Sequence, residues 1–160
     1  MREIKYNRQA AVRYARRWAL GRNPDYYDFE TIGGDCTNFV SQCIYAGARV
    51  MNFTPVFGWY YLSLSDRSPS WSGVEFLYNF LTENMSVGPY GSEVSRNRVM
   101  VGDVVQFRIG REDFQHTAII TKTSPRILVA AHSRDVLDVP LSRYDYEKIR
   151  FLHIDGVRTW

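Results

Sequence analysis

The hydrophobic pattern of this chain changes period once, and that change limits the folds open to it. In the first half, apolar residues recur at helical spacing: Ala10, Tyr14, Ala15 and Trp18, then Phe39, Val40, Cys43 and Ile44, then Val74, Leu77, Tyr78 and Leu81. Beyond residue 100 the apolar runs shorten. "DVVQFRI" (103–109), "HTAIITK" (116–122), "RILVAA" (126–131) and "IRFLHI" (149–154) read as short strands. Helices first and strands later predict an α+β domain, with N-terminal helices packed on a C-terminal antiparallel sheet. The 160 residues form one expected domain, 1–160, with no internal repeat and no long linker. The first helix is expected over 7–20, stopped by Gly21 and Pro24, and the second over 36–46, with Gly47 as its C-cap. "SGVE" (72–75) has the Ser-x-x-Glu spacing of a capping box, opening a third helix that runs to Glu83.

Composition removes several function classes. A hydrophobic share of 45% and an aromatic share of 15% are too high for a disordered chain. No run approaches the roughly 18 apolar residues of a membrane span. The opening "MREIKYNRQAAVRYARR" lacks the apolar stretch of a secretory signal, so the sequence as it stands reads as cytoplasmic. A cell-wall or extracellular location would require an export segment that has been removed. The net charge of +3 falls short of a nucleic-acid footprint. The early arginines, from Arg2 to Arg22, read as a solvated helix face opposite a packed stripe.

There are two cysteines, Cys36 and Cys43. On one helix they would lie about 10.5 Å apart along the axis, beyond the roughly 7 Å Cα separation a disulfide tolerates. Neither has Cys/His neighbours at zinc-ligand spacing, and no metal or cofactor is expected. Cys36 falls in the first turn of its helix, behind Gly33, Gly34 and Asp35. Unpaired amides and the helix dipole favour a thiolate there, whereas the Asp35 carboxylate opposes one, so a nucleophile at this position needs a base. Taken alone, Cys36 reads better as a buried cysteine with Asp35 as an ordinary N-cap. Cys43, deeper in the stripe, reads as core.

The base can come only from His116, His132 or His153. Ser124-Pro125 marks a turn between two apolar strands. A three-residue loop, 123–125, would set Lys122 opposite Arg126, Ala118 opposite Ala130, and His116 opposite His132, with facing Cβ atoms about 5 Å apart. A two-residue loop would slip the register by one and separate the histidines onto opposite faces. In the first register both imidazoles share a face with two alanines small enough to admit the helix of Cys36. Thiol, base and orienting group then form a cysteine-hydrolase constellation. His153 reads as structural. The aromatics Phe57, Trp59, Tyr60, Tyr61 and Trp71 could wall a substrate groove, but core packing is the stronger reading.

"GGDCTNFVSQCIYAG" followed by "VGDVVQF", "HTAIITK" and "VAAHS" resembles the bacterial amidase domains grouped with the NlpC-like cell-wall peptidases, a branch of the papain-like fold. The resemblance covers about residues 5–154. It implies a papain-like α+β fold and amide hydrolysis through a thioester, with Cys36 matching the nucleophile, His116 the base and His132 the third polar residue. Relatives usually carry Asp-Cys-Ser-Gly where this chain has Asp-Cys-Thr-Asn, and the residues matching Asp35 and Thr37 help bind the substrate's free amine. The chain has no glutamine in 21–35 to match papain's oxyanion residue; NlpC-like enzymes can carry a tyrosine in this neighbourhood, so the resemblance implies Tyr26 or Tyr27 as candidates. The implied substrate is a peptide or peptidoglycan fragment. The alternatives are an inactive peptide- or wall-binding module of the same fold, or a thiol acyltransferase.

Overall fold

A computed structural model describes residues 1–160. Its elements run β1 (Arg2–Ile4), α1 (Arg8–Trp18), α2 (Cys36–Ala48), β2 (Tyr61–Ser63), β3 (Asp66–Arg67), α3 (Pro69–Ser72), α4 (Val74–Glu83), β4 (Gly88–Val94), β5 (Val104–Arg108), β6 (His116–Lys122), β7 (Leu128–Ala131), β8 (Val136–Pro140) and β9 (Lys148–Thr159). The domain is α+β, with four helices and an antiparallel main sheet of seven strands. The strand order is β1-β9-β5-β6-β7-β8, and β4 lies along the other edge of β9. No helix is long and apolar enough to cross a membrane.

The four strands expected from the short apolar runs are present; β1, β4 and β8 of the main sheet and the separate β2–β3 pair are additions. β4, "GPYGSEV", hides behind two glycines and a proline, which sequence patterns read as turn. Its glycine is required: the pairing with β9 shifts register between Tyr90 and Gly91, and a Cβ on Gly91 would lie 2.3 Å from the His153 carbonyl oxygen. β9 is much longer than 149–154 because it serves both β5 and β4 as partner.

Two helix boundaries correct the sequence reading. α2 continues through Gly47 to Ala48 and ends on Arg49, whose φ of 59° is left-handed. Gly47 is a point of close approach instead: an added Cβ would meet the Asn7 carbonyl and the Tyr6 ring at 2.6 Å. The capping box at 72–75 does not form. Gly73 occupies the N-cap of α4, Ser72 ends α3 and accepts from Arg67 Nε at 3.0 Å, and Glu75 turns toward β9 and the loop before β6.

The sheet carries a core on each face. The larger one packs α1, α2 and α4 over Val104, Ile119, Ala130, Leu152, Ile154 and Val157. The smaller one, on the opposite face, holds Val105, Phe107, Ala118, Ile120, Val129, Ala131 and Phe151. Trp59 and Trp71 are completely buried in the larger core and Tyr61 nearly so, whereas Phe57 is 82% exposed. The aromatic segment is therefore mostly core. Asp103, fully buried, accepts from Arg8, His153 and the amides of Met100 and Ile154, tying the start of α1 to the sheet.

α2 is buried almost all round, polar residues included, and each of those finds a partner. Thr37 meets Thr117, Asn38 reaches Asp35, the Tyr27 carbonyl and Trp71, Ser41 accepts from Trp59, and Gln42 accepts from Tyr14. A helix paired this completely is fixed in rotation as well as position.

Candidate active site

Cys36 is the first residue of α2, with Asp35 at the N-cap. The Asp35 side chain does not cap the helix, so it leaves the first-turn amides free of a carboxylate. The sulfur lies 3.8 Å from Thr37 Oγ1 and near the backbone amides of Thr37 and of Thr117, at the start of β6. Burial pushes the thiol above its ordinary value, while those hydrogen bonds pull it back down and the Asp35 charge adds to the rise. Cys36 is 7% exposed.

His116 immediately precedes Thr117 and opens β6. Its ring stacks on Phe107, with centroids 5.7 Å apart, and tilts against Tyr144 at 5.1 Å. Burial alone lowers its pKa to about 4, because nothing nearby compensates the charged form. Its Nε2 is buried without a hydrogen-bond partner. Burial thus favours the neutral form of both groups, the Cys36 thiol and the His116 imidazole. Tyr144 lies close enough to feel the Cys36 charge, and burial pushes its phenol up to about 12.

The register expectation for β6 and β7 is overturned. Ile119 faces Ala130, Ile120 faces Val129 and Lys122 faces Leu128, with a five-residue connection, 123–127, in place of three. The one-residue slip puts Ala118 and Ala130 on opposite faces of the sheet, and with them the two histidines. His132 stacks on Phe39 of α2 at 4.1 Å. Its Nδ1 meets Asp35 Oδ2 at 2.5 Å and its Nε2 meets the Trp18 carbonyl at 2.8 Å. His132 therefore braces Asp35 and α1, and the structure does not bring it to His116.

Asp35 itself is 1% exposed and fully engaged, accepting also from the Phe29 amide at 2.7 Å and from Asn38 at 2.8 Å. Arg22 lies against it at 3.7 Å and against Asp28, Glu30 and Asp135. Thr37 is equally buried, bonded to Thr117 at 2.9 Å. Neither side chain reaches solvent. Tyr26 packs against Tyr61 and Trp71, and burial pushes its phenol up to about 12. Tyr27 is 39% exposed and ties its loop to α2 by accepting from Asn38 through its carbonyl.

A family model described as "Putative amidase domain" matches residues 5–154. The chain belongs to that family. The description suggests an amidase-like hydrolase. Among curated proteins the chain is similar to the uncharacterized protein YhbB of Bacillus subtilis (strain 168), at 35% identity over 123 residues, covering 74% of this chain and 38% of the relative. It is also similar to the uncharacterized protein YjcM of the same organism, at 26% identity over 144 residues, covering 84% of this chain and 32% of the relative. The chain thus spans about a third of the length of both. No solved structure matches.

In this family member, several residues around the sulfur escape sequence reading. Tyr144 sits in "SRYDY", which carries no periodic signal, and only the turn after β8 brings it to His116. Gln106 and Arg150 stand at interior positions of strands where apolar residues are the expectation, and that departure was the available signal. No group of three or more His, Cys, Asp or Glu is arranged to hold a metal ion. The larger cavities lie away from the sulfur: one of about 920 Å³ runs between residues 3–9 and the end of β9, and one of about 720 Å³ is lined by Arg13, Tyr14, Arg17 and Trp18.

Proposed function

We propose that this domain is a cysteine-dependent amide hydrolase of the papain-like, NlpC-like type, with Cys36 as nucleophile and His116 as base. One observation carries the reading: the sulfur at the start of α2 lies near the Thr117 amide, and the residue before Thr117 is His116, whose buried Nε2 has no hydrogen-bond partner. A buried unpaired nitrogen costs roughly 1–3 kcal/mol, a penalty a purely structural histidine would normally avoid.

In the proposed cycle His116 takes the Cys36 proton as the sulfur attacks an amide carbonyl. The developing oxyanion meets the uncapped first-turn amides of α2. The imidazolium then protonates the leaving amine, and a thioester remains on Cys36. Water, deprotonated by His116, attacks the thioester, releasing the acid and restoring the thiol. At about 4 the His116 imidazole carries no proton near neutral pH and so has a free site for one, while burial, by weakening its basicity, opposes the transfer. Peptides, and peptidoglycan stem peptides in particular, are the proposed substrates. The test is turnover of small muropeptides and peptide amides by wild type and Cys36→Ala. Loss of about 10³-fold or more supports the assignment, and equal rates refute it.

The slight exposure of the sulfur favours a second reading, an inactive wall- or peptide-binding module. The two readings separate on Cys36 alkylation near neutral pH. The hydrolase predicts stoichiometric labelling, faster than at the fully buried Cys43, and the binding module predicts none.

A further inference from the structure

A polar row crosses the helix-covered face of the sheet and ends on the sulfur. Arg150 of β9 faces Gln106 of β5, and Gln106 faces Thr117 of β6, in direct register. Arg150 donates to Gln106 Oε1 through Nε at 2.9 Å and Nη2 at 2.7 Å. Gln106 Nε2 donates to Thr117 Oγ1 at 3.3 Å and to the Val74 carbonyl at 3.0 Å. Thr117 Oγ1 lies 2.9 Å from Thr37 Oγ1, and Thr37 Oγ1 lies 3.8 Å from Cys36 Sγ. Gln106, Thr117 and Thr37 are all at most 1% exposed.

Chemistry fixes the direction of the outer part of this row. A guanidinium only donates, so Gln106 must present its oxygen to Arg150 and its NH₂ to Thr117. Thr117, accepting from Gln106, has its own proton to offer Thr37, and Thr37 then has its own to offer the sulfur; both hydroxyl contacts permit either direction, and the relay takes this one. Arg150 is held at the outer end between the Tyr78 and Phe114 rings, at 3.8 and 3.9 Å, and by Glu75 at 3.2 Å. We propose that Arg150, Gln106, Thr117 and Thr37 form a one-way donor relay that stabilises the Cys36 thiolate, acting as positioning residues for the nucleophile. Hydrogen bonds in such a chain polarise one another and strengthen in a low-dielectric interior. The relay gives a physical reason for a charged and an amide side chain inside a sheet, and it makes Thr37 a donor to sulfur instead of a contact for substrate.

The other ionisable groups within electrostatic reach of the sulfur are Asp35 from the start of α2 and Tyr144 from the turn after β8, and His116 precedes Thr117 on β6. Asp35 opposes a thiolate, and neither His116 nor Tyr144 is charged near neutral pH. The relay is thus the counterweight to burial and to Asp35.

The proposal rests on the assignment of Cys36 as nucleophile, but its test needs no substrate. The iodoacetamide rate at Cys36 is followed against pH by peptide mass spectrometry, which separates Cys36 from Cys43. Thr117→Val removes the hydroxyl at nearly constant volume. It should shift the thiol titration upward and slow labelling near neutral pH about tenfold, the equivalent of one pKa unit. Thr117→Ser restores the hydroxyl and should stay within about twofold of wild type. Gln106→Glu keeps a partner for Arg150 but offers no N–H to Thr117, so it should behave as Thr117→Val. Should Thr117→Val fail to fold by circular dichroism, the Gln106→Glu and Thr117→Ser arms decide. A Thr117→Val or Gln106→Glu profile superposing on wild type overturns the relay, as does a Thr117→Ser profile as slow as Thr117→Val. Shifted profiles in a protein that hydrolyses no amide would leave the relay standing and remove the hydrolase assignment.

Discussion

Two histidines sit at the two ends of the β6–β7 hairpin, and their surroundings are opposite. His132, on the helix-covered face, is enclosed by polar partners: a carboxylate on one nitrogen, a carbonyl on the other and Phe39 on its flat side. His116, on the far face, has aromatic rings for neighbours and a buried nitrogen with nothing to bond. A histidine with both nitrogens engaged has no capacity left for a reacting proton. One kept neutral by desolvation, with a nitrogen left unbonded, retains that capacity. The contrast supports the proposed division, bracing for the first and proton transfer for the second.

The hardest test of this contrast is activity. His116→Gln should lower peptide-amide hydrolysis by about 10²- to 10⁴-fold with an unchanged circular dichroism spectrum, the range expected for loss of a general base. His132→Gln should leave turnover of the folded protein within a few-fold. A folded His132→Gln variant as inactive as His116→Gln would break the comparison.

Stability should invert that order. His132→Ala leaves the Asp35 carboxylate buried with its closest partner gone, and should cost about 3 kcal/mol in urea unfolding at neutral pH. His116→Gln removes only an imidazole whose Nε2 has no hydrogen bond, and should cost less than 1 kcal/mol or even stabilise.

The pH dependence sharpens the point further. The His116 pKa is depressed in the folded state, so the unfolded chain binds the proton first as pH falls. Stability owed to this group is present above about pH 6.5 and is lost progressively down to about pH 4. The loss amounts to roughly 3 kcal/mol at the acid end. The wild-type curve should therefore fall more steeply over this window than that of His116→Gln, and parallel curves would show that His116 titrates normally.

The smallest effect concerns Tyr144. Tyr144→Phe keeps the ring against Phe107 and His116 and should change the hydrolysis rate by less than about threefold. A drop of about 10²-fold would instead assign the hydroxyl to the oxyanion.

Much of this could be read from residues. Helical spacing located α1, α2 and α4 to within a turn or so, and short apolar runs located β5 and β6, because the helices place one apolar face on a core and those strands place both. β4 was invisible, since its glycines and proline answer to a bulge against β9 that no local window contains. Cys36 at a helix start and His116 at a strand start were legible from capping and strand signals. The partner of His116 was not, because a single residue of hairpin register decides which face a side chain takes.

By itself, then, the sequence determined an α+β domain with a thiol at the head of one helix and histidines at the ends of a hairpin. Those features follow from local periodicity and turn chemistry, which act over a few residues. Tertiary structure alone decided that His132 serves Asp35, that Tyr144 covers His116, and that Arg150 reaches Cys36 through three intervening side chains. Those outcomes depend on strand order and register, which are set by packing two cores at once and leave no trace in any short stretch of chain.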